Sequence, residues 1–492
     1  MKNRLLILIP IISMFISCSD DITDLNKNTK DATVVPAEFL FTNAEKAMMD
    51  QVTSTSVNFN IFRLFSQQWT EVQYPQESQY DLTGRKIPDA HWNVYYRDVL
   101  RDFKESKNLL LDKKAHFVGS PAEAKALDNK LAIIDILSSY TYGLLVDTFG
   151  DIPYTESLDI IKYPQPKYDD AKTIYMDLIA KLTAASHALD KNNGSFDSAD
   201  LVYHGNTAKW AKFANSLRLR MAINMADVDA SYASAQALAA IADGIIASSA
   251  DSAYLVYTPL QPNTNPLYVD LVASGRNDFL PADTFVNKMN DLSDPRRAEY
   301  FTEYPEGSGT YKGGVYGVLN TYANFSHLTP TIKEPEYPGV LFTYSEVEFL
   351  LAEASARGMA VAGTPASHYT AAITASMTDW GVAPADIATY LARPDVAYAT
   401  ATGTWQQKIG TQSWIALYNR GFEAWTSYRR LDFPVLNVPP VTYEDADGPI
   451  KVVPRRYSYP GAEETLNSTN LKAAVSKIGS NGTSKRIFWD KF

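Results

Sequence analysis

The sequence predicts a mainly α-helical protein in which paired helices carry long and elaborate loops. Apolar residues recur at the spacing of one helix face in several segments, and capping residues mark where some of these segments begin. The segments between them are long and rich in Pro, Gly, Asn and Tyr, at residues 66–90, 151–170, 251–342 and 432–470. Irregular segments of this length are usually functional or disordered, and their aromatic content favours function.

The N-terminal residues precede this helical pattern. A basic start is followed by an apolar run of about twelve residues, which is typical of a secretory signal peptide and too short to span a membrane. The run ends at Ser17-Cys18, which resembles the lipobox of bacterial lipoproteins, and Cys18 is the only Cys in the chain. We expect residues 1–17 to be removed, Cys18 to be acylated and residues 18–35 to form a flexible tether. The alternative is an ordinary secretory signal with an incidental cysteine.

The first two helices are predicted from their start and stop signals. Pro36 opens a helical pattern that continues to Gln51. A capping box with Pro at the first helical position, Ser120 to Glu123, begins a second helix, and Gly150 ends it. The apolar face of this second helix carries Leu131, Ile134, Leu137, Tyr140 and Leu144.

Three further helices are predicted from stripes of apolar residues at the same helical spacing. One stripe comprises Trp210, Phe213, Leu217, Met221 and Met225. Ser345 and Glu348 form a second predicted capping box before a stripe of Val347, Leu350, Leu351 and Ala354, and Gly358 is expected to stop that helix. The last stripe comprises Trp414, Leu417, Tyr418, Gly421, Phe422 and Trp425. Such stripes predict a core of packed helices, and helix pairs of this kind suit a tetratricopeptide-like scaffold although no clean 34-residue repeat is found.

Composition excludes several functional classes. The formal charge is −11, which argues against binding to nucleic acid or to anionic lipid by electrostatic attraction. The 492 residues, 46% of them hydrophobic, are enough for a large core without disulfides. No segment after the signal offers about eighteen uninterrupted apolar residues, so the lipid anchor is the only membrane element that we expect.

Motifs for catalysis or metal binding are absent from the sequence. The six histidines are widely spaced, and no H-E-x-x-H, G-x-S-x-G, P-loop or dinucleotide-binding glycine pattern occurs. Asp445-Ala446-Asp447-Gly448 matches only a fragment of a calcium-binding loop and is predicted to be an acidic turn, although a structural calcium ion stays possible. We therefore expect a protein that is not an enzyme, with no cofactor. Paired carboxylates that meet only in space, as in a hydrolase, stay an open alternative.

Two loop regions combine aromatic rings with polar side chains, as a carbohydrate site requires. Aromatic planes contact the apolar faces of a sugar, and Asn, Asp, Gln and Arg bind its hydroxyls. The candidate ligand-binding residues of the first region are Trp69, Tyr74, Gln79, Tyr80 and Arg85. Those of the second region are Arg276, Asn277, Asp278, Tyr316, Tyr322 and Asn324.

Several segments in order resemble the SusD/RagB family, in its SusD-like two branch. They are Leu25 to Asn28, Val35 to Ala44, Asp147 to Tyr154, Trp210 to Ala222, Tyr344 to Ala354, Gln412 to Tyr418, Glu423 to Trp425 and Arg429-Arg430. Each segment is weak alone, but together they span nearly the whole mature chain. The arginines among them, at 218, 220, 429 and 430, are predicted to make buried ion pairs or stacks between helices.

The resemblance implies a fold and a role. It implies one SusD-like ligand-binding domain over residues 36–492, with a tetratricopeptide-like half, a loop-rich half and few short strands. It also implies a surface lipoprotein of the outer membrane that binds a nutrient, most often an oligosaccharide, and delivers it to a TonB-dependent transporter of the SusC type. Peptide capture by the same architecture is the first alternative, and a cell-surface hydrolase is the second.

Overall fold

A computed structural model describes residues 35–492 of the chain. The signal peptide, Cys18 and the tether up to residue 34 lie outside the described residues. The helices are α1 Ala37–Thr53, α2 Phe62–Phe65, α3 Ile87–Asn93, α4 Arg101–Ala115, α5 Pro121–Phe149, α6 Ala171–Ala188, α7 Thr207–Asn224, α8 Ala230–Asp243, α9 Pro266–Tyr268, α10 Asp283–Asp291, α11 Arg297–Tyr300, α12 Tyr344–Ala356, α13 Pro365–Asp379, α14 Pro384–Leu391, α15 Trp405–Ala416, α16 Gly421–Leu431, α17 Glu463–Leu466 and α18 Ser468–Ile478. Val94–Leu100 and Val269–Ala273 are π-helical.

The strands are short and form antiparallel pairs. They are β1 Trp69–Glu71, β2 Ile152–Pro153, β3 Tyr168–Asp169, β4 Ala253–Leu255, β5 Phe279–Pro281, β6 Gly339–Phe342, β7 Glu444–Asp445 and β8 Gly448–Pro449. β1 pairs with β5, β2 with β3, β4 with β6 and β7 with β8. The predicted fold class, mainly helical with few short strands, is confirmed.

Successive helices pack against one another and enclose the core. α5 packs on α6, α6 on α7 and α7 on α8, and α12 packs on α13 later in the chain. One apolar core runs through these helices, and a second cluster lies around α12, α13 and α14. Among the described residues, α5 is the one helix with the length and composition of a membrane span, and 89% of its most apolar window is buried inside the protein.

Local capping signals predict α5 correctly and misplace the start of α12. The Ser120–Glu123 capping box is present, and Gly150 ends α5 with a φ of 89°. The prediction that Ser345 caps a helix is wrong, because Thr343 is the N-cap and accepts a hydrogen bond from Glu346 N. Ser345 lies inside α12, where its hydroxyl donates instead to the carbonyl oxygen of Ala372 on α13 (2.8 Å).

The stripe from Trp414 to Trp425 is divided between two helices rather than one. α15 ends at Ala416, and Asn419 adopts a left-handed φ of 65° before α16 begins at Gly421. A Cβ at Gly421 would lie 2.3 Å from the backbone nitrogen of Arg63. The break therefore lets the start of α16 approach the backbone of α2, a tertiary contact that periodicity cannot predict.

The long segments are less irregular than predicted. Residues 251–342 include α9, α10, α11 and three of the strands. These elements are too short to give a clear period in the sequence.

The predicted buried arginine contacts are confirmed. Arg220 pairs with Glu346 (2.6 Å) and Arg430 with Glu353 (3.0 Å), while the Arg429 guanidinium lies 3.4 Å from the centroid of the Trp425 ring. Arg218 pairs with Asp243 (3.0 Å).

Candidate ligand-binding cleft

The two predicted loop regions meet through β1 and β5. Trp69 lies opposite Pro281 and Glu71 opposite Phe279, and the ladder extends through Val72 N, which donates to Asp278 O (2.9 Å). Asn320 adds a third segment, because its backbone N–H donates to Val72 O (2.9 Å). A short strand pair thus holds segments that are about 200 residues apart in the chain beside one another.

An open cavity of ≈ 370 Å³ lies beside this strand pair. We call it the Tyr74–Arg276 cleft. Its lining comes from the segment after α1, from β1 and the loop that follows it, and from the segment before β5: Thr55, Ser56, Val57, Asn58, Glu71, Tyr74, Arg85, Asp270, Ser274, Arg276, Asp278 and Phe279.

The largest exposed side chains of the cleft are one aromatic ring and two guanidiniums. Tyr74 is 53% exposed. Arg85 Nε lies 2.5 Å from Glu77 Oε1, and Arg276 Nε lies 2.6 Å from Asp278 Oδ2. Each guanidinium is held at one edge by a carboxylate, so its remaining N–H groups can donate to a ligand.

The floor of the cleft carries buried acidic groups. Burial, together with the neighbouring Glu77 carboxyl, raises the pKa of Glu71 well above its ordinary value. Glu71 Oε2 accepts hydrogen bonds from Ser78 N (2.8 Å) and Ser78 Oγ (3.0 Å). Burial also raises the pKa of Asp270, which accepts from Thr55 Oγ1 (3.0 Å).

This arrangement suits a neutral polar ligand with an apolar face. Tyr74 offers a plane for stacking, and Arg85 and Arg276 offer N–H donors that hydroxyl groups can accept from. Thr55, Ser56, Asn58 and Ser274 add hydroxyl and amide groups to the wall.

The structure brings together four of the residues predicted from the sequence. Tyr74, Arg85, Arg276 and Asp278 all line the cleft. Asn277 is exposed between two of them but is outside the lining.

Three of the predicted aromatic residues do not reach the surface. Trp69, Tyr80 and Tyr316 are 1%, 1% and 5% exposed. Trp69 Nε1 donates to Tyr418 Oη (3.3 Å) and Tyr316 Oη donates to Leu64 O (2.8 Å), so the polar tips of these two residues are satisfied inside the protein. Tyr80 Oη is buried and makes no hydrogen bond within the described residues. Trp69 packs on Phe279 of the lining, with ring centroids 5.7 Å apart, and none of the three rings offers a face to a ligand in this structure.

The other predicted residues, Gln79, Tyr322 and Asn324, do not line the cleft. The Gln79 side chain donates to Gly317 O (2.9 Å) and so ties the first loop to the 315–320 segment. Tyr322 is half-buried and stacks on His327 with ring centroids 3.9 Å apart, and Asn324 is exposed.

Sequence reasoning missed the segment after α1. Thr55, Ser56, Val57 and Asn58 line the cleft but contain no aromatic or charged side chain. Their only signal is a polar run directly after a helical pattern, which ordinary loops share.

No group of three His, Cys, Asp or Glu residues within residues 35–492 is arranged to hold a metal ion. The Asp445–Gly448 segment is the turn between β7 and β8, as predicted. Asp445 Oδ2 accepts from both Thr483 N and Thr483 Oγ1 (2.6 Å each), so this carboxylate stabilises the packing of the C-terminal segment.

Comparison with known proteins gives one family and a set of similar structures. Residues 27–460 match a family model, SusD-like_2, described as "Starch-binding associating with outer membrane". No curated protein matches the chain.

Three solved structures illustrate the likeness. A chitin-binding protein is 26% identical with a TM-score of 0.78, over 93% of this chain and 100% of its own. A chitin-binding SusD homolog from Flavobacterium johnsoniae is 25% identical with a TM-score of 0.76, over 92% of this chain and 98% of its own. A SusD homolog from Bacteroides uniformis is 25% identical with a TM-score of 0.75, over 92% of this chain and 100% of its own.

Proposed function

This chain belongs to the SusD-like_2 family, and from that membership we propose that it binds a carbohydrate during nutrient uptake. The observation that carries the proposal is the Tyr74–Arg276 cleft, where an exposed aromatic ring and two guanidiniums lie on one open cavity. The ligand that we propose is an oligosaccharide.

The chemistry of the cleft supports this ligand class. A sugar ring has an apolar face, which the exposed Tyr74 ring can cover, and hydroxyls on its edge, which Arg85 and Arg276 can bind. Both guanidiniums are already paired with carboxylates, so the cleft does not require an anionic ligand.

The named relatives support a polymeric ligand. Two proteins with 25% and 26% identity over almost the whole chain are described as chitin-binding. We infer that this chain binds a polysaccharide or its fragments, and that the identity of the sugar is set by the residues of its own cleft.

We propose binding without covalent chemistry. Glu71 and Glu77 are buried carboxyls next to the cleft, where a hydrolase would need an acid and a nucleophile or base. Both are committed to protein groups, Glu71 to Ser78 and Glu77 to Arg85. Incubation with the bound glycan should release no shorter product, and turnover that is lost in Glu77→Gln would favour the hydrolase instead.

We further propose that residues 36–492 act as one domain on a lipid anchor and deliver the ligand to a TonB-dependent transporter of the SusC type. The family description supports association with the outer membrane. Cys18→Ala should move the protein from the outer-membrane fraction to the soluble fraction. A variant that stays membrane-bound would contradict anchoring through Cys18.

Affinity gel electrophoresis tests the proposed function. The protein is run through gels that contain plant, host or microbial polysaccharides, with a mixed peptide competitor in parallel. We expect retardation by one glycan class and no effect of the peptides. No retardation by any glycan, together with peptide that stays bound through purification, would favour the peptide-binding alternative.

A further inference from the structure

Two buried carboxyls lie next to each other at the Tyr74–Arg276 cleft. Glu71, which lines the cleft, is 4% exposed, and Glu77 is 1% exposed. The side chain of Glu71 lies within hydrogen-bonding reach of the Glu77 carboxyl. Within residues 35–492, Arg85 is the one cationic side chain that pairs with either of them, through its Nε and Glu77 Oε1 (2.5 Å). Two adjacent buried carboxylates with a single cation repel each other, which favours a proton on one of them.

One oxygen of Glu77 lacks a hydrogen-bond donor. Its Oε1 accepts from Arg85 Nε, whereas Oε2 is buried and has no partner within the described part of the chain. Because Oε2 is closed to solvent, its donor has to come from a neighbouring side chain. Glu71 Oε2 accepts from Ser78 N (2.8 Å) and Ser78 Oγ (3.0 Å). A proton on the Glu71 carboxyl would supply the donor that Glu77 Oε2 lacks.

Arg85 links this carboxyl pair to a ligand in the cleft. Its side chain is 42% exposed and lines the cleft, while its Nε is held by Glu77. The loop between the two residues is fixed by Asp81, whose Oδ1 accepts from Thr83 N and Gly84 N (2.9 Å each). The Nε edge of the guanidinium is thus occupied, and its terminal N–H groups are left for the hydroxyls of a ligand.

The other titratable groups of the cleft can be distinguished from Glu71. The remaining charged or titratable residues of the described lining are Tyr74, Arg85, Asp270, Arg276 and Asp278, with no histidine among them. Near Glu71, burial raises the pKa of the Tyr316 hydroxyl well above its ordinary value, so this group stays neutral. Burial also raises the pKa of Asp270, which therefore requires its own variant as a control.

We propose that Glu71 holds a proton that it donates to Glu77, and that this proton keeps Arg85 available to the ligand. This role rests on the proposed glycan binding at the cleft. With the proton in place, Glu77 alone carries the charge that fixes Arg85, whose terminal N–H groups donate to sugar hydroxyls. Without it, two carboxylates compete for one guanidinium, and the N–H groups of Arg85 turn to Glu71. The affinity therefore falls as the pH rises through the pKa of Glu71.

Infrared spectroscopy of the full chain in detergent, from about pH 5 to about pH 9, tests the proton directly. A protonated carboxyl has a C=O stretching band distinct from that of a carboxylate. We expect such a band in the difference spectrum of wild type minus Glu71→Gln, above the pH at which exposed carboxyls have ionised. Glu77→Gln should lose the band at a lower pH, because removal of the neighbouring negative charge lowers the pKa of Glu71.

Isothermal titration with chitohexaose and with maltohexaose over the same pH range tests the effect on binding. These sugars are fragments of the polymers named for a structural relative and for the family. We expect the wild-type affinity to be at least about fivefold weaker at about pH 9 than at about pH 5, the effect of losing one charge-assisted hydrogen bond. Glu71→Gln should remove this pH dependence, since its amide N–H can donate to Glu77 Oε2 at every pH. Asp270→Asn, the matched control, should retain it.

Three outcomes would overturn the proposal. The first is the absence of a protonated carboxyl band in the difference spectrum, and the second is a wild-type affinity that does not change with pH. The third is a pH dependence that is lost in Asp270→Asn and retained in Glu71→Gln, which would assign it to Asp270. If neither sugar binds at any pH, the proposed function is contradicted for these glycans and the link to the ligand falls with it. The infrared result still decides the proton, so the two proposals can fail separately.

Discussion

Val72 donates its backbone N–H to the carbonyl oxygen of Asp278 over 2.9 Å. This bond extends the β1–β5 pair beyond Glu71 and Phe279 and brings the segments that carry Tyr74 and Arg276 to the same cleft. Because backbone pairing fixes both segments, the cleft is largely formed before a ligand binds.

The first prediction concerns the buried carboxyl of Glu71. Burial and the neighbouring Glu77 raise its pKa well above the ordinary value of 4.5. The folded protein therefore holds this proton more tightly than the unfolded chain, so the contribution to stability is complete at low pH and is lost as the pH rises through the folded-state pKa. Glu71→Gln keeps an oxygen acceptor for Ser78 and does not titrate.

We expect the unfolding free energy of Glu71→Gln, relative to wild type, to rise as the pH is raised from about 5 to about 8. Urea denaturation at several pH values measures this difference. Glu464→Gln, at an exposed position, is the control and should give a flat difference. If the stability of Glu71→Gln relative to wild type instead falls with rising pH, the raised pKa of Glu71 is refuted.

The second prediction concerns the close approach of α16 to α2. Gly421→Ala would place a Cβ 2.3 Å from Arg63 N, so one of the two backbones must shift. We expect a loss of about 1–3 kcal/mol in unfolding free energy, the range for overpacking a core. Thermal or urea denaturation measures it.

Gly143→Ala is the matched control for Gly421→Ala. Gly143 lies inside α5, and its nearest neighbour to an added Cβ is Met221 Cε at 3.9 Å. The substitution should be neutral or stabilising by up to about 1 kcal/mol, because Ala favours the helix. Equal effects of the two substitutions would show that the contact with Arg63 is unimportant.

The third prediction concerns the buried ion pair of Arg296 and Asp294. Both side chains are fully buried, and Arg296 Nη2 lies 2.5 Å from Asp294 Oδ2. Arg296→Leu would leave Asp294 buried without its cation, which should cost roughly 3–5 kcal/mol. The exposed pair of Arg393 and Asp395 provides the control, since Arg393→Leu should cost about 0–1 kcal/mol. Urea denaturation measures the loss of unfolding free energy in both variants. Similar losses would contradict the account.

The helices could be predicted because their signals are local. The capping box at Ser120 lies within one turn of the start of α5, and Gly150 directly follows its end. The position of the α15–α16 break depends on the contact between Gly421 and Arg63, which are more than 350 residues apart. Such contacts are decided by tertiary packing and leave no period in the sequence.

The candidate site could be predicted only as a region. Tyr74 and Trp69 are both aromatic residues of the same predicted loop, yet one is 53% exposed and the other 1%. The difference arises because Trp69 is in β1 and donates a buried hydrogen bond to Tyr418, a residue from the far end of the chain. Thr55 to Asn58 were missed because their role comes from position and not from residue type.

The affinity of Tyr74→Ala for the glycan that retards the wild-type protein tests the central claim most directly. Phe39→Ala is the matched control, because Phe39 is an aromatic residue of similar exposure (66% against 53%) on α1 and is outside the cleft. We predict that isothermal titration will show at least about a tenfold loss of affinity for Tyr74→Ala and no change for Phe39→Ala. Unchanged affinity in Tyr74→Ala, with the fold intact by circular dichroism, would contradict glycan binding at the Tyr74–Arg276 cleft.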